Sequence, residues 1–217
     1  MEFEKARNEV LQACLHLADK GYLAGTGGNV ACRAGAGHMA ITPSASDYYA
    51  MTPQDICIVR LNDLACIAGE RPSVELRLHA FLLGKRDANA TIHTHQPIAS
   101  AYSLLGEDLK VCNLVRQELL GEKALCVGYA PSGTSWLAAK LKKRIDAAVN
   151  AYLMRNHGII CCGRTMENAI ERVEALEAEC SDFFRSVIEV RAATERGPAF
   201  SQVLSLLSDS NVMESAQ

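Results

Sequence analysis

The chain has 217 residues, of which 49% are hydrophobic and 22% are charged, and its formal net charge is −3 at pH 7. This length predicts one large domain or at most two small ones, and the composition excludes intrinsic disorder over most of the chain. We expect no membrane partner, because no apolar run approaches the ~20 residues of a membrane span and the start of the chain lacks the apolar stretch of a signal peptide. We expect no nucleic-acid partner, because charges of both signs are interspersed.

Cysteine usage predicts a reducing compartment. Nine cysteines occur, which is an odd number, and none of them forms a Cys-x-x-Cys pair. The nearest neighbours, Cys161 and Cys162, lie in an apolar run that is typical of a strand. Because free cysteine behaves as a small buried hydrophobic residue, we interpret these residues as packed thiols and expect a cytoplasmic protein.

Hydrophobic periodicity and turn residues predict helices and strands in irregular alternation. A helix is expected over residues 4–20, with Gly21 at its end, and the glycine-rich loop 25–29 follows it. Three short strands are then expected at 30–32, 39–43 and 56–61, with a loop at 44–47 and a single turn opened by Pro53.

The alternation continues through the second half of the chain. Ser73 is a good N-cap for a helix over 74–84, and Pro97 is well placed to start another helix. Residues 106–123 give no clear pattern. The other predicted elements are strands at 90–95, 124–129, 151–154 and 158–162 and helices at 97–105, 135–148 and 166–191.

The domain organisation follows from what the sequence lacks. It contains no internal repeat and no linker rich in Pro, Gly or Ser that is long enough to separate two domains. We therefore expect one α/β or α+β domain over residues 1–194. The tail 195–217 is polar at its start and is expected to be partly flexible.

Two of the six histidines form the segment His93-Thr94-His95. In a strand, alternate side chains share a face, so both imidazoles are expected to point the same way and to lie close together. This geometry can chelate a divalent metal. The alternative is a surface strand that happens to carry two histidines.

His157 is a third candidate ligand, at the start of an apolar strand. Taken alone, a histidine near a strand end is more often a packed or solvent-exposed residue. Together with His93 and His95, it completes three histidines with an open fourth position, which is the ligand set of a catalytic zinc site. The cysteines do not compete, because none of them has ligand spacing.

Glu75 lies in the first turn of a predicted helix, four residues before His79 on the same helical face. A carboxylate at this place can serve in acid–base chemistry. It also interacts favourably with the helix N-terminus, so a purely structural role is the alternative. His79 is expected to be a core residue or to lie just behind the site.

The segment Gly25-Thr-Gly-Gly-Asn29 does not fit the dinucleotide pattern G-x-G-x-x-G, since position 30 is Val, and no Gly-Lys-Ser/Thr follows it. Its backbone N–H groups can still form a concavity that binds an anion. Hydroxyls of Ser44 and Ser73 can contribute to the same anion site.

Five segments occur together in an order and spacing that one known family shares. They are GTGGNVACR (25–33), ITPSASDYYAMTPQDICIV (41–59), RPSVELRLHAFLLGKRDANATIHTHQPIASA (71–101), YAPSGT (129–134) and MRNHGIICCG (154–163). On these segments the chain resembles the class II aldolase/adducin family. Any one segment is modest support, whereas all five together are highly specific.

The resemblance implies a three-layer α/β/α fold with a central, mainly antiparallel sheet, and a homotetramer with sites near the subunit contacts. It implies that His93, His95 and His157 ligate a divalent metal, most often zinc, with Mn, Co or Fe as alternatives. Glu75 is then the catalytic residue and a further metal ligand when no substrate is bound. The phosphate-binding positions that it implies are Gly28, Asn29, Ser44, Ala45, Ser73 and Val74.

The implied reaction is the cleavage of a carbon–carbon bond. Because the epimerase branch of the family carries Asp where this chain has Glu75, the resemblance favours an aldolase. Its substrate would be a ketose 1-phosphate of the fuculose, rhamnulose or deoxyribulose type, and its products dihydroxyacetone phosphate and an aldehyde. A divalent cation stabilises the enediolate that such a cleavage leaves, and a single carboxylate can move the proton.

Departures from the family pattern leave the exact substrate open. Val74 stands where the typical aldolase has Ser, and Ala45 stands where Gly is frequent. The family's tyrosine from a neighbouring subunit has no clear match near residues 110–120. The alternatives in that region are Arg116, Gln117 and Glu118.

Two other functions fit parts of the pattern. A decarboxylase of a phosphorylated keto sugar acid or a methylthioribulose-1-phosphate dehydratase would use a similar metal site. A non-catalytic, adducin-like binding module would need no metal ligands, so the three histidines and Glu75 argue against it. The long helices at 4–20, 135–148 and 166–191 make a cupin barrel a poor alternative.

Overall fold

The structure is a computed structural model, and it describes residues 3–23, 25, 27–85, 87–194 and 202. The predicted tail 195–217 therefore lies outside the described residues except for Gln202. The described helices are α1 (Glu4–Asp19), α2 (Leu76–Leu83), α3 (Pro97–Ser103), α4 (Leu114–Leu120), α5 (Ser135–Arg144) and α6 (Met166–Thr194). The described strands are β1 (Asn29–Arg33), β2 (His38–Ile41), β3 (Cys57–Arg60), β4 (Cys66–Ala68), β5 (Ala90–Thr94), β6 (Leu109–Lys110), β7 (Lys123–Val127), β8 (Ala151–Met154) and β9 (Gly158–Gly163).

One sheet contains these nine strands in the order β4-β3-β2-β1-β5-β9-β8-β7-β6. Among the described strands, every neighbouring pair is antiparallel except β7 and β8, which are parallel. In the centre of the sheet, His93 of β5 lies opposite Asn29 of β1 on one side and Ile160 of β9 on the other. This register brings three distant parts of the chain to one end of the sheet.

Alternate residues of a strand point to opposite faces of the sheet, and helices cover both of these faces. Leu153 and Ile159 pack in the same apolar cluster as residues of α1 and α6. Tyr152 and Ile160 pack in a second cluster with residues of α2 and α5. The structure is therefore the three-layer α/β/α arrangement with a mainly antiparallel sheet that the resemblance implied. Among the described helices, none combines the length and the apolar character that a membrane span needs.

Several helix boundaries differ from the sequence prediction by one to four residues, and two of these differences have a clear local cause. The helix expected over 74–84 begins at Leu76, because Ser73 Oγ accepts a hydrogen bond of 3.2 Å from the backbone N–H of Glu75 and holds a local turn before the helix. Helix α5 ends at Arg144 rather than at 148, since Ile145 is extended with φ −60° and ψ 122°.

Short elements account for what the sequence prediction missed. Strand β4 has three residues and β6 has two, which is too short for a periodic pattern. Helix α4, in the segment 106–123, begins after Asn113, whose side chain accepts hydrogen bonds from the backbone N–H groups of Val115 and Arg116. An asparagine at the N-cap is a sequence signal for a helix start, but the sequence prediction assigned no element to this segment.

A side chain and the backbone of helix α6 form hydrogen bonds with the first turn of α3 and with Gln96 before it, in the segment that directly follows β5. The Glu177 carboxylate accepts hydrogen bonds of 2.8 Å each from the backbone N–H groups of Ile98 and Ala99. Gln96 Nε2 donates to the carbonyl oxygen of Val173 over 2.9 Å. A carboxylate is well suited to this position, because the first N–H groups of a helix have no partner within the helix.

The substitution Glu177→Gln is expected to lower thermal stability. It replaces a charged acceptor with a neutral amide at two backbone donors, of which Ala99 is buried and Ile98 is partly buried. The change costs about 1–3 kcal/mol and lowers Tm by several degrees. Differential scanning calorimetry measures the change, with Glu171→Gln on an exposed part of the same helix as the control. Equal Tm values for both variants would show that these hydrogen bonds do not stabilise α3.

Candidate active site

Three imidazoles converge at the end of the sheet formed by β5 and β9. His93 is in β5, His95 directly follows that strand, and His157 lies in the turn before β9. The Nε2 atoms of His93 and His95 are 3.1 Å apart, and one ligand atom from each of the three residues lies within 4.8 Å of the others. His93 is buried, His157 is partly buried and His95 is exposed, so the cluster opens to solvent on the His95 side.

His93 has its orientation fixed by the neighbouring strand. Its Nδ1 lies 2.7 Å from the carbonyl oxygen of Ile159, which can only accept a hydrogen bond. Nδ1 therefore carries the proton in the neutral ring, and the lone pair is left on Nε2, on the side of the other two histidines. A hydrogen bond from the distal nitrogen to a backbone carbonyl is the usual support of a metal-binding histidine.

Glu75 completes the group at the start of α2. Its Oε2 is 3.2 Å from His93 Nε2, and its Oε1 is 3.2 Å from His157 Nε2. The side chain is buried. Three imidazole nitrogens and a carboxylate form a donor set that suits zinc, so the residues present fit a divalent cation.

The protonation states agree with this donor set. Loss of water where the rings meet, together with the neighbouring His93, lowers the pKa of His95, despite the exposed part of its side chain, and that of His157 to about 4 each, so both rings are neutral at pH 7, as metal ligation requires. Burial alone would raise the pKa of Glu75, but His93, His157 and the Asn29 amide hold that pKa well below its usual range. The carboxylate is therefore ionised.

Two neutral donors reach the Glu75 carboxylate from other elements. Asn29 Nδ2 donates to Oε2 over 2.9 Å, and Ser132 Oγ donates to Oε1 over 2.8 Å. Ser132 lies in the loop between β7 and α5, within the segment YAPSGT. No role was predicted for Ser132, and Asn29 was predicted to bind phosphate, so both contacts with Glu75 were missed.

Gly158 was also missed, although its neighbours require it. A Cβ at this position would lie 2.5 Å from the carbonyl oxygen of Thr94, 2.7 Å from His95 Cδ2 and 3.2 Å from His93 Cε1. The turn before it contains Asn156 at φ +56°, a left-handed conformation that asparagine tolerates. The sequence Asn-His-Gly thus fits a tight turn that brings His157 against the other rings.

The six predicted phosphate-binding residues lie in three segments. Backbone hydrogen bonds connect the segment with Ser44 to the segment with Ser73, and the third segment contacts Glu75 through the Asn29 side chain. Thr42 and Ser44 form backbone hydrogen bonds with Ser73 and Arg71, which brings together Ser44, Ala45, Ser73 and Val74. Asn29 is the first residue of β1, and Gly28 directly precedes it. Gly28 has φ +89° and leaves no room for a Cβ beside the carbonyl oxygen of His93. Phosphate binding by these residues stays a prediction.

The three residues considered in place of the family's tyrosine make other contacts within this chain. Arg116 forms ion pairs with Glu179 and Asp182, at 2.8 and 2.6 Å. Gln117 Nε2 donates to the carbonyl oxygen of Val111 over 2.7 Å. Glu118 lines a polar cavity of about 460 Å³ together with Cys162, at the end of β9 far from His157.

Comparisons with known proteins establish the family. The chain matches the family described as "Class II Aldolase and Adducin N-terminal domain" over residues 8–182. A 5-deoxy-D-ribulose 1-phosphate aldolase from Bacillus thuringiensis serovar kurstaki is 35% identical over 181 residues, which are 82% of this chain and 83% of that protein. An L-fuculose phosphate aldolase from Methanococcus maripaludis is 32% identical over 168 residues, which are 77% of this chain and 89% of that protein.

A solved structure of an L-fuculose 1-phosphate aldolase has the same fold. It superposes with a TM-score of 0.75 at 25% sequence identity and covers 94% of this chain and 96% of that chain. The chain belongs to the class II aldolase/adducin family, which confirms the resemblance found in the sequence.

If these histidines hold a divalent cation, the substitution Gly158→Ala is expected to weaken its binding, measured with zinc, by about 10-fold or more, because the added Cβ displaces the His95 and His93 rings. Titration against a competing zinc chelator measures the affinity. Gly128→Ala is the matched control, because a Cβ there meets only the flexible end of Lys140 at 3.4 Å. Wild-type zinc affinity in both variants would contradict the proposed crowding.

Proposed function

We propose that this chain is a divalent-metal-dependent aldolase that cleaves a ketose 1-phosphate to dihydroxyacetone phosphate and an aldehyde. The convergence of His93, His95 and His157, with the buried Glu75 carboxylate 3.2 Å from both His93 and His157, carries this proposal. The relatives named for L-fuculose phosphate and 5-deoxy-D-ribulose 1-phosphate support a substrate of that class.

The three histidines would hold the cation, with Glu75 as a further ligand when no substrate is present. Zinc is the first choice for this donor set, and Mn, Co and Fe are the alternatives. When bound, the cation supplies Lewis-acid stabilisation of the negative charge that develops as the carbon–carbon bond breaks.

Glu75 supplies the acid–base chemistry. Its ionised carboxylate accepts the proton of the substrate hydroxyl next to the breaking bond, and it returns a proton to the carbon that retains the electron pair. The two transfers balance, so one carboxylate can serve the whole reaction. Asn29 and Ser132 each donate to one of its oxygens and hold the carboxylate in place between the transfers.

The segments around Gly28 and Ser73 would bind the substrate phosphate, far from the reacting bond. Binding energy at such a remote group orients the reacting atoms. Because Val74 and Ala45 carry no hydroxyl, the phosphate would be held by fewer side-chain donors than serine would provide at those positions. Backbone N–H groups are then expected to supply more of the contacts.

The substitution Glu75→Gln is expected to retain zinc, because three histidines remain, and to lower kcat by roughly 10²–10⁴-fold through loss of proton transfer. His93→Ala is expected to lose both the metal and turnover. Zinc content by atomic emission and single-turnover kinetics test the pair. A Glu75→Gln variant with near-normal turnover would show that another group moves the proton.

Turnover of candidate substrates tests the reaction itself. Zinc- or manganese-loaded protein is expected to release dihydroxyacetone phosphate from at least one ketose 1-phosphate of the fuculose, rhamnulose or deoxyribulose type, and a chelator is expected to abolish the release. Release of carbon dioxide or water without an aldehyde, from the corresponding keto acid or thiosugar phosphate, would favour the decarboxylase or dehydratase. A folded protein that binds no metal after reconstitution would favour an adducin-like binding module.

We further propose a homotetramer with its sites near the subunit contacts, in a reducing cytoplasm. Apolar side chains exposed at the start of α4, Leu114 and Val115, support self-association, because they are 77% and 70% exposed in the single chain. All nine cysteines are free, which agrees with a reducing compartment.

The substitution Leu114→Glu is expected to reduce the oligomeric mass, because it places a charge in a contact that buries apolar surface. Light scattering after size-exclusion chromatography measures the mass, and Ile67→Glu on the edge strand β4 is the control. A wild-type protein that elutes as a monomer would contradict the proposed tetramer.

A further inference from the structure

We propose that His79 is a positioning residue that fixes the side-chain amide of Asn29 and, through that amide, the carboxylate of Glu75. This inference rests on the proposed function, because it assumes that Glu75 moves the proton. It concerns a residue that contacts neither the three histidines nor Glu75 through a hydrogen bond of its own.

His79 lies in α2, one helical turn after Glu75, and is 0% exposed. Both ring nitrogens have partners: Nδ1 lies 2.6 Å from Thr91 Oγ1, and Nε2 lies 2.5 Å from Asn29 Oδ1. A buried imidazole is costly unless it is hydrogen-bonded, and here its partners come from β5 and β1. The ring therefore connects α2 to the two strands that carry His93 and Asn29.

The ionised Glu75 carboxylate determines which atom donates in each hydrogen bond from Glu75 through Asn29 and His79 to Thr91. An ionised carboxylate can only accept, so the Asn29 atom at 2.9 Å from Oε2 must be the donor Nδ2. The other end of that amide is then the acceptor Oδ1, which requires a proton on His79 Nε2. Burial lowers the pKa of His79 to about 3, so the ring is neutral and has one N–H. Nδ1 is consequently an acceptor, and the Thr91 hydroxyl donates to it.

Because His79 Nε2 is the donor to Asn29 Oδ1, His79 affects the orientation of the Asn29 amide and does more than fill the core. While Glu75 is ionised, its carboxylate by itself favours the donating orientation of the Asn29 amide. When Glu75 carries the proton between its two transfers, its O–H could donate to Oδ1 of a rotated amide, and the N–H on His79 Nε2 opposes that rotation because it holds Oδ1. With His79 in place, the amide has one favourable orientation, in which it always donates to Oε2. A histidine that only filled the core would impose no such preference on Glu75.

The tautomer of His79 is the most direct test, and it does not depend on turnover. Nitrogen-15 NMR of the imidazoles is expected to show a neutral ring with the proton on Nε2, assigned by loss of its signals in His79→Gln. The Asn29 amide signals, assigned with Asn29→Ala, are expected to move in His79→Leu. A ring protonated on Nδ1, or on both nitrogens, would overturn the proposal.

Kinetics of matched variants test the consequence for Glu75. His79→Leu keeps the apolar volume and removes the donor, whereas the amide of His79→Gln can donate to Asn29 Oδ1. We expect His79→Leu to lower kcat by about 10–100-fold with little change in KM or in zinc content, and His79→Gln to recover most of the loss. Equal losses in both variants, in proportion to their loss of Tm, would indicate a structural role only and overturn the proposal.

A double-mutant cycle shows whether His79 acts through Asn29. In the Asn29→Ala background, His79→Leu is expected to lower kcat no further, because the amide that it orients is absent. Additive losses would contradict a route through Asn29. If the wild-type protein cleaves no ketose phosphate, the proposed function fails, while the NMR result still decides the positioning of Asn29.

Discussion

The burial of a carboxylate at the end of the sheet constrains the rest of the site. An ionised side chain in a buried position loses the solvation of water, and that loss must be offset by charge or by hydrogen bonds. Asn29 and Ser132 each donate a hydrogen bond to Glu75, and His93 Nε2 and His157 Nε2 each lie 3.2 Å from one of its oxygens. A bound cation among the histidines would balance the charge more completely, because it is the largest local charge that such a site can hold.

The register of the central strands determines which groups meet this carboxylate. Asn29 lies opposite His93 across the β1–β5 pair, and Ile160 lies opposite His93 across the β5–β9 pair. A slip of one residue would turn every side chain of a strand to the other face. Burial of both faces of β5 and β9 therefore fixes the site geometry as well as the core, and Gly158 leaves the space that the rings of His93 and His95 occupy.

The sequence predicted the parts of the site that depend on local spacing. Alternation along one strand placed His93 and His95 together, and the family segments added His157 and Glu75. The contacts of Asn29 and Ser132 with Glu75 could not be predicted in this way, because they depend on strand register and on the path of a loop. Helix α2 was predicted two residues too early, since the turn at Ser73 competes with the helix, and α4 was missed because it is short.

Anomalous diffraction at the zinc absorption edge tests the central claim most directly. Crystals of the zinc-loaded protein are expected to show one strong peak about 2.0–2.1 Å from the Nε2 atoms of His93, His95 and His157, within reach of the Glu75 carboxylate. Zinc bound only by other groups, such as the thiols of Cys57 and Cys66, or protein that binds no zinc while these imidazoles keep their positions, would contradict the account.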